Sequence, residues 1–275
     1  MNRIDIAALA RRRGIRRKAV KLRPIEASRR AERELTSTLN TIITAAGEFA
    51  RRDVMLAFES YRSAVVRDAA VRDAPWDWPR SLFAALRSLV DRLTGAAEGM
   101  ADRIFEAEGE RHTERFIGTV RAAIGIDMRQ VIGSGDIAEA VALRAAQNAA
   151  LIRSLGADVV KRVETATLQA ITEGSTAKQL EAKFRDELGI TSRRAKLIAR
   201  DQTAKLTSDL NRIRQEQAGV TTYQYSTSKD ERVRTLHRQH DGKIFRWKGD
   251  PQPSDGPPGT AINCRCVAIA IIEID

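Results

Sequence analysis

Two histidines and two cysteines near the C-terminus are the residues best suited to chemistry in this chain. His237 and His240 stand three apart, so on a helix they are surface neighbours. Cys264 and Cys266 alternate, so on a strand both side chains point to one side. A helix packed on that strand brings two imidazoles and two thiols together, a donor set suited to tetrahedral zinc. The same residues can instead form a hydrogen-bonded cluster, because C-x-C is not the usual C-x2-C knuckle and small cysteines pack as core residues. A thiol nucleophile served by His237 is a third option, yet no orienting group or oxyanion donor can be picked out for it. Neighbours at i and i+2 rarely meet disulfide geometry, so the pair gives no sign of an oxidising compartment.

Two other stretches invite a chemical reading. Gly133-Ser134-Gly135-Asp136-Ile137-Ala138 fits G-x-G-x-x-A, the dinucleotide fingerprint. That motif needs a preceding strand within a βαβ unit; the flanking pattern here is helical, so the stretch reads as a turn between helices with Asp136 as N-cap. The second is the basic N-terminus. The net charge is +11, and residues 1–34 hold twelve Lys/Arg against four Asp/Glu, a net +8 that leaves +3 for the other 241. Arg11, Arg12, Arg13, Arg16, Arg17, Lys18, Lys21 and Arg23 form the densest part. Such an arm suits nucleic acid or an acidic protein surface, and a solvated tail is the bland alternative.

The elements that must position these residues are mostly helices. Ala, Arg and Leu are abundant and aromatics make up only 5%. After the arm (1–34), helical spacing runs through 35–72, a break falls at 73–79 around Pro75 and Pro79, and a second helix covers 80–122. Residues 123–219 read as a helical body. Within 158–217 three helices are expected: one capped by Asp158 and ended by Gly174, a short one opened by a Thr176/Gln179 capping box and ended by Gly189, and a long one from Thr191 or Ser192 to Gly219. Residues 220–275 change texture: a strand at 221–228, a short helix opened by a Ser228/Glu231 capping box, a strand at 243–247, a Gly/Pro-rich loop at 249–261 and a final strand at 264–274. On the expected helix Asp230, Arg234 and His237 share one face. The fold class is therefore α+β: a mainly α-helical body with a small C-terminal α+β module containing a short antiparallel sheet. No apolar run approaches the roughly 18–20 residues that span a bilayer, and the N-terminus lacks the order of a signal peptide, so a cytoplasmically made protein without membrane contact is expected.

The ordered set of residues across the last 75 positions resembles the phage Mu F-like head morphogenesis family. The matching positions are Arg200, Asp201 and Gln202 on a helix, Tyr223 on a strand, then Asp230, Arg232, Arg234 and His237, then Gly242, and finally Asn263, Cys264, Arg265 and Cys266. Weaker similarity extends back towards residue 120. The chain departs from the family at His240, where many members carry an apolar residue, and at Ala261-Ile262, where many carry His-Pro.

The resemblance implies a minor head protein of a tailed bacteriophage rather than an enzyme. It implies few copies per particle inside the capsid near the portal, and presence in the host cytoplasm during assembly. Portal protein, major coat protein and packaged DNA are the implied partners, with DNA bound without sequence preference. No cofactor is implied, and zinc through His237, His240, Cys264 and Cys266 stays open from the residues themselves. Arg232, Arg234 and Arg265 are expected to pair with Asp230 and Asp241. Two rival classes remain: a metal- or thiol-dependent enzyme built on His237, Cys264 and Cys266, and a free nucleic-acid-binding factor. The second lacks an obvious recognition helix and the aromatics for base stacking.

Overall fold

The structure, a computed structural model, describes residues 4–67 and 77–274. In chain order the elements are α1 (Ile6–Arg12), β1 (Ala19–Lys21), α2 (Arg29–Phe49), a π-helical turn (Ala50–Val54), α3 (Met55–Arg67), α4 (Asp77–Ile124), a 3-10 turn (Ser134–Ile137), α5 (Ala138–Thr172), α6 (Ala177–Gln217), β2 (Thr222–Ser226), α7 (Thr235–His240), β3 (Ile244–Arg246) and β4 (Val267–Glu273). The class is the expected one, mainly helical with one small antiparallel sheet. Residues 73–76 of the expected break, Pro75 among them, lie outside the described residues. Pro79 falls in the first turn of α4 rather than ahead of it, where its missing N–H costs nothing.

The described chain divides into two compact units that differ from the four contiguous segments expected. One comprises residues 1–32, 102–145 and 200–275; the other comprises 33–101 and 146–199. The described residues of the second unit are helical apart from the turn at 173–176. Leu35, Leu39, Ile42, Phe58, Leu86 and Ile152 are fully buried in this unit, at the 3–4 spacing that amphipathic helices require. Asp158 is not a cap there. It lies in mid-helix on α5 and pairs with Arg162 at 3.0 Å and Arg194 at 3.3 Å. The Thr176/Gln179 capping box forms as read: Gln179 N donates to Thr176 Oγ1, and Thr176 N donates to Gln179 Oε1 at 2.7 Å. Gly189 and Thr191 do not interrupt the chain. α6 runs through both, and Thr191 Oγ1 donates back to the Glu187 carbonyl at 3.1 Å.

The first unit carries the sheet, ordered β1-β4-β2-β3 and antiparallel throughout. Tyr223 is paired with Ala270 and Phe245, and Tyr225 with Ala268, so one face collects the aromatic and small residues. On the other face Lys21 Nζ donates to Gln224 Oε1 at 3.2 Å. Towards β1 the buried face merges with a core containing Ile6, Val20, Ile25, Phe116, Val120 and Ile272.

That core corrects the expectation of a basic arm. Residues 6–12 are a helix and 19–21 are the edge strand of the sheet, with Val20 opposite Ile272. Ile6, Ala10, Val20, Leu22 and Ile25 are buried. Arg11, Arg12, Arg13, Arg16, Arg17, Lys18, Lys21 and Arg23 are all exposed. The segment is a folded basic face, with its apolar residues turned into the core. Before β1 the chain crosses the C-terminal end of α6: Ile4 N donates to the Gln217 carbonyl at 2.9 Å. Gly219 ends that helix with φ +74°, and a Cβ there would lie 2.3 Å from the Ile4 carbonyl oxygen, so only glycine fits.

Candidate functional site

The C-terminal half of α6 positions the motif residues. Asp201 Oδ1 accepts from Asn263 N at 2.7 Å, and its Oδ2 pairs with Lys205 at 2.8 Å. Ser208 Oγ donates to the Pro258 carbonyl at 2.6 Å. Gln215 Nε2 donates to the Ala268 carbonyl at 3.0 Å, while its Oε1 accepts from Trp247 Nε1 at 3.1 Å. One helix thus holds the Gly/Pro loop, the turn before β4, β4 itself and the end of β3. Asn263 takes a positive φ of +56°, a conformation Asn tolerates, and the Asp201 bond fixes it. The spacing of the resemblance therefore has a physical cause: the Arg200-Asp201-Gln202 helix carries the group that orders Asn263-Cys264-Arg265-Cys266.

The segment between β2 and α7 differs from expectation. Lys229 has φ +56°, and α7 begins only at Thr235, with Arg234 as an N-cap that makes no side-chain capping bond. The Ser228/Glu231 capping box does not open a helix. Asp230 and His237 consequently do not share a helix face. Asp230 instead pairs with Arg265, Nη2 to Oδ1 at 2.6 Å, and accepts from Arg232 N at 3.1 Å. Arg265 holds its carboxyl below the usual range. Arg234 Nη2 donates to the Ile262 carbonyl at 2.9 Å, and Asp241 accepts from Thr227 N at 2.8 Å. Of the expected arginine–carboxylate pairs, only Arg265–Asp230 forms between side chains among the described residues. Gly242 turns the chain into β3 with φ +79°, and its N–H donates to the Tyr225 carbonyl.

His237 converges with both cysteines. All three are buried, with Cys264 Sγ 3.5 Å and Cys266 Sγ 3.4 Å from His237 Nδ1. The cysteines sit in the turn before β4 and not on the strand. Sequence reasoning missed Asp255, from the Gly/Pro loop, whose Oδ2 lies 2.7 Å from His237 Nε2. Only its loop position beside glycine and proline marked it. His240 is not in the cluster. Its Nε2 is 3.4 Å from Asp255 Oδ1, and its ring stands edge-on to Phe245 at 5.3 Å. The four-residue set that the sequence left open for zinc therefore reduces to three residues with Asp255 behind them.

The electrostatics of the thiols follow from their partners. Cys266 hydrogen bonds to Cys264, holding the Cys264 thiol well below its usual range, helped by N–H donors from Cys266 and Gly259 and opposed by burial. Cys266 is pushed up by that same bond and by burial, while the Tyr225 hydroxyl bonded to it acts the other way. Gly259 approaches α6 closely: a Cβ there would lie 2.7 Å from Ser208 Cβ.

A second polar cluster lies in the same unit and explains the false fingerprint. Arg214, fully buried on α6, donates to Gln217 Oε1 at 2.7 Å, Thr113 Oγ1 at 2.7 Å and the Gly133 carbonyl at 2.8 Å. Its Nη1 is 3.5 Å from Asp136 Oδ2, which also accepts from Gly133 N at 3.1 Å. Asp136 thus caps the turn from inside it, not as the N-cap of α5. Gly133-Ser134-Gly135-Asp136 is a turn held by an arginine, not a nucleotide loop.

The fold and site together define a small sheet-and-helix module ordered by one long helix, the arrangement that the ordered motif calls for. Residues 161–269 match the family described as Phage Mu protein F like protein, and this segment of the chain is similar to that family. An uncharacterized protein of Haemophilus influenzae is 36% identical over 182 residues, covering 66% of this chain and 40% of that protein. The chain thus spans well under half the length of that curated relative. No solved structure matches. No helix among the described residues is long and apolar enough to cross a membrane.

Proposed function

We propose that this chain acts as a minor head protein of a tailed bacteriophage, docked on the portal inside the capsid in few copies and serving head assembly, DNA packaging or delivery. The family match over residues 161–269 carries the reading. The motif residues support it in a structural sense: Asp201 accepts from the Asn263 N–H and Asp230 pairs with Arg265, contacts that stiffen the module. The N-terminal basic face supplies a second surface. Arg12, Arg16, Arg17 and Lys18 are exposed on a folded scaffold, so they meet a partner without the entropy loss of ordering a tail. A groove lined by Arg23, Arg29, Arg30 and Arg115 adds to this charge. DNA binding through such a face is to phosphates and carries no sequence preference.

Co-expression with the portal protein of the same phage tests this reading. The chain is expected to co-purify with assembled portal rings and to bind duplex DNA with an affinity that falls steeply with salt. Replacing Arg12, Arg16, Arg17 and Lys18 by Ala should reduce the slope of log affinity against log salt by about 0.9 for each phosphate no longer neutralised. Failure to bind portal, together with sequence-specific DNA binding that survives high salt, would favour a free nucleic-acid-binding factor instead.

A further inference from the structure

We propose that His237 Nδ1, Cys264 Sγ and Cys266 Sγ form a three-ligand zinc site, with Asp255 orienting the imidazole and the fourth position left to an exogenous ligand. The three ligand atoms lie within 4.8 Å of one another. Zinc with Zn–S near ~2.3 Å and Zn–N near ~2.0–2.1 Å places tetrahedral N···S edges at about 3.6 Å. The observed N···S separations of 3.5 and 3.4 Å nearly match that edge.

Two further features point to a metal rather than to hydrogen bonding alone. His237 Nε2 is engaged by Asp255 Oδ2 at 2.7 Å, which fixes the proton there and leaves Nδ1 as a lone pair. Both sulfurs stand at nearly the same distance from that lone pair, as two ligands of one ion do. A cation between them satisfies all three atoms. The carboxylate–imidazole pair is also the usual outer partner of a zinc-bound histidine. In addition, the Cys266 N–H points at Cys264 Sγ at 3.4 Å, so that sulfur sits as an acceptor, as a metal-bound thiolate does. Two thiolates and an imidazole are soft to borderline donors, which select zinc over magnesium or calcium.

The site would tie α7 to the turn before β4, and through Asp255 to the Gly/Pro loop. This module has little apolar core of its own beyond the aromatic face of the sheet, so a metal crosslink contributes folding energy there. These residues alone support the zinc site, whatever part the chain plays in a phage head.

The test uses the full chain, purified under reducing conditions, stripped with a chelator and reloaded with Zn2+ or Co2+ alone. One zinc per chain is expected. Cobalt should show thiolate-to-metal charge transfer and the intense visible bands of a tetrahedral site. Cys264→Ser and Cys266→Ser should each lose the charge-transfer intensity of one thiolate. Asp255→Asn should keep the cobalt spectrum while weakening zinc about 10- to 100-fold. Should the serine variants fail to fold, the unaltered chain still decides: its melting temperature should drop on stripping and return with zinc. Substoichiometric zinc after loading, no charge transfer with cobalt and a melting temperature indifferent to chelator would overturn the proposal and leave a hydrogen-bonded cluster.

Discussion

Arg214→Ala is expected to destabilise the sheet-bearing unit by about 1–3 kcal/mol, the range for leaving buried hydrogen-bonding groups without their partner. Arg214 is 0% exposed, and its loss abandons the Gly133 carbonyl, Thr113 Oγ1 and Asp136 at once. Buried polar groups without partners lose both their hydration and their bond, which is why truncation costs more than one hydrogen bond. Arg214→Lys should cost less but not be silent, because a single ammonium cannot span Thr113, Gly133 and Gln217 as the guanidinium fork does. Native-state hydrogen exchange reads this locally, through faster opening of the amides of residues 131–138. A loss below about 1 kcal/mol for the Ala variant, ordinary for a surface change, would mean the turn is held by something else.

Acid is expected to destabilise this same unit before the bulk of its carboxylates titrate. His112 is fully buried on α4, and burial pushes its pKa down to about 4 from 6.5. Nearby Arg214 and Arg115 push the same way, while the bond to Asn211 opposes them. Asn211 spends its Nδ2 on the Ile25 carbonyl at 3.0 Å, so its Oδ1 accepts from His112 Nε2, also at 3.0 Å. His112 is therefore neutral in the folded chain. The unfolded chain takes up the proton first, so stability is complete above about pH 6.5, falls as pH drops towards about 4, and changes no further through this group below that. At about 1.36 kcal/mol per pKa unit the loss amounts to about 3 kcal/mol. His112→Gln retains a donor towards Asn211 and cannot titrate. Its stability should fall less steeply than the native chain's between about pH 6.5 and 4, and parallel slopes would contradict the assignment.

Local signals were readable where local geometry decides. The Thr176/Gln179 box and Gly174 at φ +67° behave as their types demand, because helix ends are settled within a turn. Gly189 was misread as a stop. A glycine inside a helix costs only about 1 kcal/mol, and the buried neighbours Phe184 and Ala195 keep α6 in register on either side. Ser228 and Glu231 carry the right types for a cap, but Lys229 turns left-handed and Asp230 is taken by Arg265, a partner 35 residues away. β1 was hidden because charge masks a three-residue strand: only Val20, between exposed neighbours, marks it. The candidate site was legible as a set of types, since His237, Cys264 and Cys266 do meet. Its supporting residues Asp255, Gln215 and Ser208 were not, because each acts across tens of residues and none has a spacing rule.

Whether the chain is built into phage heads is tested most directly by counting it in DNA-filled particles, by quantitative mass spectrometry against portal and major coat protein. A few copies per particle are expected, in fixed proportion to portal and unchanged when coat content varies. Particles that fill with DNA and contain none of this chain would contradict its place in the head.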